Sequence, residues 1–305
     1  MNEHSDQDTT DSTNTLGDRA FSLIQYLLPH HLLSLPMYWL TRSEWRPLKE
    51  LMIRKVIDIY RVDMSSAADQ ELSNYRSFND FFTRALAADA RPLASAKGSM
   101  VSPVDGTVSQ AGRIENGRIF QAKGHDFTLN ELLGGDPNWS AAFADGSFAT
   151  IYLSPRDYHR IHMPLTGTLK KMIHVPGRLF SVNPATTRNI PRLFSRNERV
   201  VSLFDSEAGP MAVIMVGAIF VASMDTVWAG TVTPKWRRVS SWEYGRKSTA
   251  AIKLQRGAEM GRFNMGSTVI LLFGKDAVEL AAELQPETKV QMGQKIGTVV
   301  SSAAG

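Results

Sequence analysis

Residues 148–153 read Phe-Ala-Thr-Ile-Tyr-Leu, and residues 268–273 read Thr-Val-Ile-Leu-Leu-Phe. Both runs are made of β-branched, aromatic and other apolar residues, and glycines, prolines and aspartates separate them from the next run. Such runs are typical of β-strands. The regular alternation of strand and helix that marks a doubly wound parallel sheet is missing. The chain from residue 99 onward is therefore predicted to form a β-rich antiparallel barrel or sandwich.

The N-terminal part of the chain has the pattern of short helices. Residues 20–28 and 32–40 are rich in leucine and aromatic residues, and Pro29 and Pro36 interrupt them. About 20 uninterrupted apolar residues are needed to span a bilayer, so no transmembrane helix is expected. Pro47 opens a longer helix with one apolar face. The predicted fold class is thus α+β, with short N-terminal helices ahead of a β-rich antiparallel body.

These helices suit either a membrane surface or the protein's own core. Leu23, Ile24 and Leu27 fall on one helical face, and residues 19–61 carry seven basic residues against three acids. Short apolar helices with a basic excess are typical of segments that lie in the membrane interface. An apolar stripe at helical spacing is equally typical of a helix packed on a core. The sequence leaves both interpretations open.

Composition and charge exclude several classes of protein. The chain has 305 residues, of which 43% are apolar and 21% are charged, so wholesale disorder is excluded. It has no cysteine, which excludes disulfides, thiolate metal sites and a cysteine nucleophile. The net charge of +4 is small for a nucleic-acid binder but compatible with an anionic membrane. The first 15 residues carry four acids and no lysine or arginine, which predicts a disordered tail rather than a signal peptide.

His159 and His162 are the first candidates for chemistry. They lie three positions apart in a segment with a proline near each end, which favours a loop or an edge strand. One hypothesis is a zinc hydrolase, in which Asp105 or His125 would be the third ligand. The other is that one histidine acts as a general base, which requires a nucleophile and an orienting carboxylate.

Asp105 and Ser267 are the candidates for those two roles, although each also has a simple structural explanation. Asp105 precedes a glycine, and Asp-Gly is a favoured turn dipeptide. Ser267 follows a glycine and can simply begin a strand. Because a catalytic triad is assembled in space, spacing along the chain cannot link Asp105, His162 and Ser267.

A glycine-containing β pattern suggests a different class of protein. Residues 102–108 and 290–299 are similar to the hairpins of barrel-sandwich carrier domains. Those carriers need a lysine or histidine at the hairpin tip, and the matching turn has no lysine. A non-enzymatic barrel-sandwich module that docks on membranes is therefore kept as an alternative.

Nine short segments together resemble the phosphatidylserine decarboxylases, most closely the bacterial membrane-associated branch. They follow the family's order along the chain: residues 78–82 (FNDFF), 102–106 (SPVDG), 121–124 (QAKG), 158–164 (YHRIHMP), 176–183 (PGRLFSVN), 196–199 (RNER), 227–230 (VWAG), 259–263 (EMGRF) and 266–268 (GST). One departure is Met265, where the family usually has leucine.

The resemblance implies a precursor that cuts itself between Gly266 and Ser267. In the family, the serine oxygen attacks the preceding carbonyl, and the role of base falls here on His162, oriented and stabilised by Asp105. Ser267 would become a covalent pyruvoyl group, so the implied cofactor is pyruvate, which forms a Schiff base with the substrate amine. No metal is implied. His159 is the candidate that returns a proton to the substrate after carbon dioxide leaves, because histidine titrates near neutral pH.

The resemblance also implies an organisation for the chain. It divides into a disordered tail (1–19), a helical membrane-associating region (20–98) and a β-rich catalytic domain (99–305), cut into a large chain (1–266) and a small chain (267–305). The implied partners are phosphatidylserine in the membrane, the two chains of one precursor and a second protomer in a homodimer, with no nucleic acid. The implied location is the periphery of the cell membrane, on its cytoplasmic side.

Overall fold

The computed structural model describes residues 15–122, 124–219, 223–232, 238–245, 251–265 and 267–300. Within these ranges, residues 35 and 267 are described by their backbone alone. Most of the predicted N-terminal tail, residues 1–14, and Gly266 lie outside the described residues.

The longest helices form the N-terminal region. The helices are α1 Leu16–Leu27, α2 His30–Arg42, α3 Arg46–Tyr60, α4 Phe78–Phe82, α5 Leu129–Leu132, α6 Pro137–Ala142, α7 Pro184–Asn189 and α8 Leu193–Arg196, with a 3₁₀ turn at Leu72–Asn74. The prediction of two short helices followed by a longer one is confirmed. Helix α1 starts four residues earlier than expected, where the Thr15 side chain accepts a hydrogen bond from the Asp18 N–H. Helix α2 begins two residues before the expected segment 32–40 and, like that segment, contains Pro36.

No helix in the described part of the chain is long and apolar enough to cross a membrane.

Helices α3 and α4 share a small apolar core beside the main one. Its buried side chains are Ile53, Val62, Tyr75, Phe78, Phe81 and Phe82. Ser77 caps α4 by accepting the Asp80 N–H, and the ammonium of Lys49 in α3 donates to the carbonyls of Ser73 and Tyr75. Part of the N-terminal region therefore packs on the protein itself, and this part includes α3.

The body of the protein consists of short strands. They are β1 Ser99–Val101, β2 Gly106–Arg113, β3 Arg118–Ala122, β4 His125–Thr128, β5 Ser147–Leu153, β6 Arg160–His162, β7 Gly167–Val175, β8 Arg199–Ser206, β9 Gly209–Val216, β10 Met224–Thr226, β11 Gly230–Val232, β12 Ser240–Glu243, β13 Lys253–Leu254, β14 Glu259–Phe263, β15 Ser267–Phe273, β16 Val278–Leu280, β17 Lys289–Val290 and β18 Lys295–Val299. The strand pairings are antiparallel, which confirms the predicted α+β class with an antiparallel body.

The strands form a large central sheet and smaller sheets around it. The order of the central sheet is β12-β7-β8-β9-β15-β5-β2-β17, with β13 also paired to β7. The smaller sheets have the orders β11-β10-β14-β6, β1-β18-β16 and β3-β4. In the described part of the chain the end strands β12 and β17 are not paired with each other, so the central sheet is open and the barrel form of the prediction is not adopted.

Strand β15 lies in the middle of the central sheet. It pairs on one side with β5 and on the other with β9. Residues 269–273 have no exposed surface. The apolar runs at residues 148–153 and 268–273 thus lie in neighbouring strands, and Ser267 is the first residue of the more buried strand.

Candidate active site

The backbone changes abruptly just before Ser267. Ser267 is the first residue of β15 and lies opposite Leu153 of β5. Two positions earlier, Met265 has φ of +125°, a conformation that side-chain-bearing residues rarely adopt. Such a conformation costs about 1–3 kcal/mol and persists only where the surrounding structure holds it. The chain therefore carries strain next to the candidate cleavage bond.

A buried asparagine provides that hold. The Asn264 side chain donates to the Ser223 hydroxyl at 2.8 Å and to the Asp225 carboxylate at 2.9 Å, and it accepts from the Asn79 amide at 3.1 Å. These partners belong to α4 and to β10 and its approach, so Asn264 ties the end of β14 to both. Sequence reasoning did not single out Asn264; its signal is a polar residue between the apolar Phe263 and Met265.

A cavity of about 400 Å³ opens beside this segment. Met265 lines it, together with residues of α3, α4, the end of β5 and residues 181–183. The side chains around it are mainly apolar or aromatic: Val56, Tyr60, Phe78, Phe82, Tyr152, Leu153, Pro155, Val182, Ala218 and Ile219. The cavity can therefore hold a small organic group away from bulk water at the start of β15.

His162 lies in β6 and is held at both ring nitrogens. Its Nδ1 is 2.8 Å from the Gly257 carbonyl, and its Nε2 is 2.9 Å from the Tyr158 hydroxyl. Burial lowers the pKa of His162; the hydrogen bond to the Gly257 carbonyl and the charge of Glu259 partly oppose this effect, and the charge of Asp105 opposes it least. Because a carbonyl only accepts, Nδ1 carries the proton in the neutral ring. Nε2 then accepts the hydroxyl proton of Tyr158, whose pKa is raised by burial.

A backbone hydrogen bond brings the segment of Asp105 next to His162, but the Asp105 side chain has other partners. The His162 N–H donates to the Pro103 carbonyl at 2.9 Å. The Asp105 carboxylate instead accepts three bonds from Arg91, at 3.0, 3.2 and 2.7 Å, and one from the Met292 N–H at 2.8 Å. In the described part of the chain no hydrogen bond joins Asp105 to His162. The pairing that the resemblance implies stays a prediction, and Arg91 is a partner that sequence reasoning missed.

His159 is completely buried, three residues before His162. Its Nδ1 is 2.8 Å from the Asp157 carbonyl, and its ring centroid lies 4.0 Å from that of Phe82. Nε2 has no hydrogen-bond partner among the described residues. Burial, with the charge of Arg84 adding to it, lowers the pKa of His159 to about 3. The neutral ring thus has one occupied nitrogen and one nitrogen without a partner, and it packs against Phe82, which lines the cavity.

The ligands proposed for a zinc site are placed apart in the fold. His159 and His162 belong to β6 and the turn before it, whereas His125 begins β4, which pairs with β3. No group of three or more histidine, aspartate or glutamate side chains in the described ranges is arranged to hold a metal ion.

Helices α1 and α2 direct polar residues toward the protein and apolar residues outward. In α1, Ser22 and Gln25 are buried, whereas Leu27 is 85% exposed. In α2, Ser34 is buried, whereas Trp39 is 69% exposed. The exposed large apolar residues of α1, α2 and α3 are Leu16, Phe21, Leu23, Ile24, Leu27, Leu32, Leu33, Trp39, Leu40, Leu51, Ile59 and Tyr60. Contiguous exposed apolar surface is typical of sites that contact a membrane or another protein, so these helices are the candidates for such a contact.

Comparison with known proteins assigns this architecture to a family. A family model described as phosphatidylserine decarboxylase matches residues 78–298, and a model described as PSD matches residues 20–61. The phosphatidylserine decarboxylase proenzyme of Azotobacter vinelandii is 55% identical over 282 residues, covering 92% of this chain and 99% of the relative. That of Bordetella pertussis is 54% identical over 286 residues, covering 94% and 96%.

The fold is that of an α+β enzyme, and the candidate cleavage serine lies at the start of a buried strand. The chain belongs to the phosphatidylserine decarboxylase family.

Proposed function

We propose that the chain converts phosphatidylserine to phosphatidylethanolamine and carbon dioxide, using a pyruvoyl group made from its own Ser267. Family membership and the names of the relatives support the reaction, and the word proenzyme in those names supports maturation by cleavage. The observation that carries the site of cleavage is the left-handed backbone of Met265, two positions before Ser267.

Self-cleavage follows from the chemistry of a serine after glycine. The Ser267 oxygen attacks the carbonyl of Gly266 and converts the peptide bond to an ester. Elimination then leaves Gly266 as a free carboxylate and the serine as dehydroalanine, and hydrolysis releases ammonia. Strain at Met265 raises the energy of the uncut chain, and Asn264 prevents the segment from relaxing before the reaction.

His162 is the proposed base for this attack. A serine hydroxyl is a weak nucleophile until a base removes its proton. Because burial lowers its pKa, His162 is neutral at physiological pH, with a lone pair at Nε2. Tyr158 occupies that lone pair in the present arrangement, so its hydroxyl must give way or relay the proton. Asp105 is proposed to stabilise the protonated ring through its negative charge.

The surroundings of Ser267 fit a pyruvoyl group. The cavity beside Met265 is mainly apolar. Phe82, which lines it, packs against the ring of the buried His159, whose Nε2 has no partner among the described residues. A pyruvoyl group supplies an electron sink for the bond that loses carbon dioxide. The residues of the cavity exclude water and confine the substrate headgroup.

His159 is the proposed proton carrier for decarboxylation. The sequence-based reason for this role, titration near neutral pH, does not hold, since burial lowers the pKa of His159 to about 3 and the resting ring is neutral. With Nδ1–H donated to the Asp157 carbonyl, the ring can only take up a proton at Nε2 during the reaction and pass it on to the substrate carbon. Positioned proton transfer contributes typically about 10²–10⁴-fold to a rate. His159→Ala should therefore still cut the chain but decarboxylate about 100-fold more slowly. Full turnover by the cut variant would assign the proton to another group.

Membrane association is proposed to occur through α1 and α2. Their exposed apolar faces match a helix that lies in the bilayer interface, and the basic excess of residues 19–61 suits anionic lipid. The substrate would then enter from the membrane that the enzyme touches. We infer peripheral attachment on the cytoplasmic side of the cell membrane, by a homodimer of cleaved protomers.

Intact mass spectrometry of the purified protein tests this function directly. The expected result is two chains, of residues 1–266 and 267–305, with the small chain blocked at its N-terminus. A single full-length mass, together with decarboxylase activity, would contradict the proposed maturation. Sedimentation of the same sample tests the dimer.

A further inference from the structure

The segment of residues 177–183 lies between β7 and α7, and we call it the wall loop. Its last three residues, Ser181, Val182 and Asn183, line the cavity beside Met265. Apart from one isolated β-bridge, the wall loop belongs to no helix or strand in the described structure. Its position therefore depends on the groups that hold its backbone.

The first part of the wall loop is held by the body of the protein. Asn197, which is fully buried just before β8, accepts the Phe180 N–H at 3.0 Å and donates to the Phe180 carbonyl at 2.8 Å. The Arg178 N–H donates to the Arg196 carbonyl, and the Glu198 N–H donates to the Arg178 carbonyl, both at 2.8 Å. As far as Phe180, the backbone is thus fixed by the residues that lead into β8.

The next backbone group of the wall loop is held by the N-terminal region instead. The Ser181 N–H donates to the side-chain oxygen Oε1 of Gln25 in α1, at 3.2 Å. Gln25 is only 3% exposed, although the outer face of the same helix carries leucines. A buried amide is costly unless its polar atoms are hydrogen-bonded, so a glutamine at this position indicates a specific partner. The residue that begins the cavity-lining stretch therefore takes its position from α1.

Other contacts join α1 and α2 to the same loop. The centroid of the Phe180 ring lies 5.1 Å from that of Tyr26 and 5.1 Å from that of His30. The His31 Nε2–H donates to the Gly177 carbonyl at 2.9 Å, since a carbonyl only accepts. These contacts seat the helices on the wall loop, and the Gln25 bond acts where the loop reaches the cavity.

We infer that Gln25 is a positioning residue for decarboxylation. By holding the Ser181 N–H, it sets where residues 181–183 stand in the wall of the cavity that is proposed to confine the substrate headgroup. The inference rests on the proposed function for its effect on turnover, whereas the hold on the wall loop does not depend on it. Helix α1 then has two roles: its outer face is proposed to meet the membrane, and its inner face completes the cavity wall.

Hydrogen exchange measures the hold on the wall loop independently of any activity. The uncut Ser267→Ala chain is used, with and without Gln25→Met, which keeps the length of the side chain but removes its oxygen. Losing one hydrogen bond should speed exchange of the Ser181 amide about 5-fold. Gln25→Glu keeps an acceptor oxygen and should keep exchange slow. The amides of the buried residues 211–216 in β9 should exchange equally in all variants, which shows that the effect is local.

Turnover of a soluble substrate tests the consequence for the site. Dihexanoyl phosphatidylserine below its micelle concentration removes the need for membrane contact. The cleaved Gln25→Met enzyme should show kcat/KM about 3- to 10-fold lower, mainly through a higher KM, because the wall loop confines the substrate without touching the reacting bond. Gln25→Glu should restore most of the loss. Gln70→Met is the matched control and should change neither property, because the exposed Gln70 side chain donates to the Ser65 carbonyl, outside the residues that line the cavity.

The outcomes decide the inference in either direction. Unchanged exchange at Ser181 in Gln25→Met would overturn it, as would equal effects of Gln25→Met and Gln70→Met. Faster exchange with unchanged kcat/KM, or a Gln25→Met chain that no longer cuts itself, would also overturn it, since the bond would then serve the fold or maturation rather than decarboxylation. If the unmodified chain does not decarboxylate phosphatidylserine, the proposed function fails on its own, and exchange at Ser181 still decides whether α1 holds the wall loop.

Discussion

Helix α1 and strand β15 solve the problem of burial in opposite ways. Residues 269–273 of β15 are apolar and have no exposed surface. In α1, the buried side chains are the polar Ser22 and Gln25, whereas Leu27 is almost fully exposed. The buried polar groups of α1 are satisfied, since Ser22 donates to the Asp18 carbonyl and Gln25 accepts the Ser181 N–H.

The difference shows that the two regions have different environments to meet. The strand is complete within the protein, because its neighbours remove all of its apolar surface from water. The outward leucines of the helix are left exposed to water. Because removing apolar surface from water contributes about 25 cal/mol per Å², these leucines favour contact with a further apolar phase. The comparison therefore separates the body, which carries the proposed reaction, from a helical surface that is proposed to meet a membrane. Changes in the strand or on the outer face of the helix should leave the function of the other region intact.

The largest effect is expected at the first residue of β15. Ser267→Ala removes the attacking oxygen, so the chain should stay in one piece and decarboxylase activity should fall below detection. Vesicle binding should be unchanged, since the substitution lies outside α1 and α2. Gel analysis, an activity assay and vesicle sedimentation measure the three properties.

Ser147→Ala is the matched control for that variant. Ser147 begins β5 as Ser267 begins β15, and both strands lie in the same sheet. The control should cut itself at the normal rate. Two chains from Ser267→Ala, separated at the same bond, would show that another residue starts the cleavage.

The next effect concerns His162 and Asp105. His162→Ala and Asp105→Asn should both accumulate precursor, with cleavage slowed by up to about 10⁴-fold, the loss seen when a triad aspartate becomes asparagine. The time course of cleavage after expression measures the rate. Asp205→Asn, at an exposed position of β8, is the control.

Substitution of Asp105 is the sharper of these two tests. Its carboxylate is hydrogen-bonded to Arg91 rather than to His162, so the test can separate a role in cleavage from a role in holding Arg91. If Asp105 acts through its charge, Asp105→Glu should retain more cleavage than Asp105→Asn. Equal rates for Asp105→Asn and the unmodified chain would confine Asp105 to holding Arg91.

The sequence was sufficient for elements whose pattern is local. The β-branched runs at residues 148–153 and 268–273 predict strands because side-chain composition and flanking turns act within a few residues. Pro29 separates α1 from α2 for the same reason. The open edge of the central sheet could not be predicted, since closure depends on which distant strands pair.

The candidate site was predictable in its residue types but not in its contacts. Sequence and resemblance singled out Asp105, His162 and His159, yet the hydrogen bonds of His162 involve Gly257, 95 positions away. The hydrogen bonds of the Asn264 side chain join segments up to 185 positions apart. Such contacts exist only once the sheets have assembled. In the same way, the apolar face of α1 was visible in the sequence, but whether it met a core or a membrane was not.

A smaller effect is expected at the exposed face of the helices. Trp39→Ser should leave cleavage and soluble stability unchanged and weaken binding to phosphatidylglycerol-containing vesicles about 10-fold, because burying a large apolar side chain contributes about 2 kcal/mol. Trp242→Ser, in β12, removes a tryptophan that is 43% exposed and is the matched control. Equal loss of binding in both variants would assign the membrane contact to more than the helices.

The last effect is a pH dependence of stability to which His159 should contribute, together with the other buried histidines whose pKa is lowered by burial, His162 and His30 of α2. His159 has a pKa of about 3 in the folded chain because it is buried, with Arg84 adding to the shift, whereas the unfolded chain has the ordinary value of about 6.5. Between these values the unfolded state binds the proton and the folded state does not. The contribution of His159 to the free energy of unfolding is therefore fully present above about pH 6.5. It is lost as the pH falls toward 3, with a slope of up to about 1.4 kcal/mol per pH unit. The buried His162 acts in the same direction.

His159→Gln should remove one histidine from this slope. Urea unfolding of the uncut Ser267→Ala chain at pH 8, 6.5 and 5 measures it, and the stability deficit of the double variant should shrink as the pH falls. His125→Gln, in β4, provides the comparison. A deficit that stays constant from pH 8 to pH 5 would mean that His159 takes up its proton in the folded chain as readily as in the unfolded one. That result would place water or a charged partner at Nε2 and would weaken the assignment of His159 as a proton carrier shielded from water.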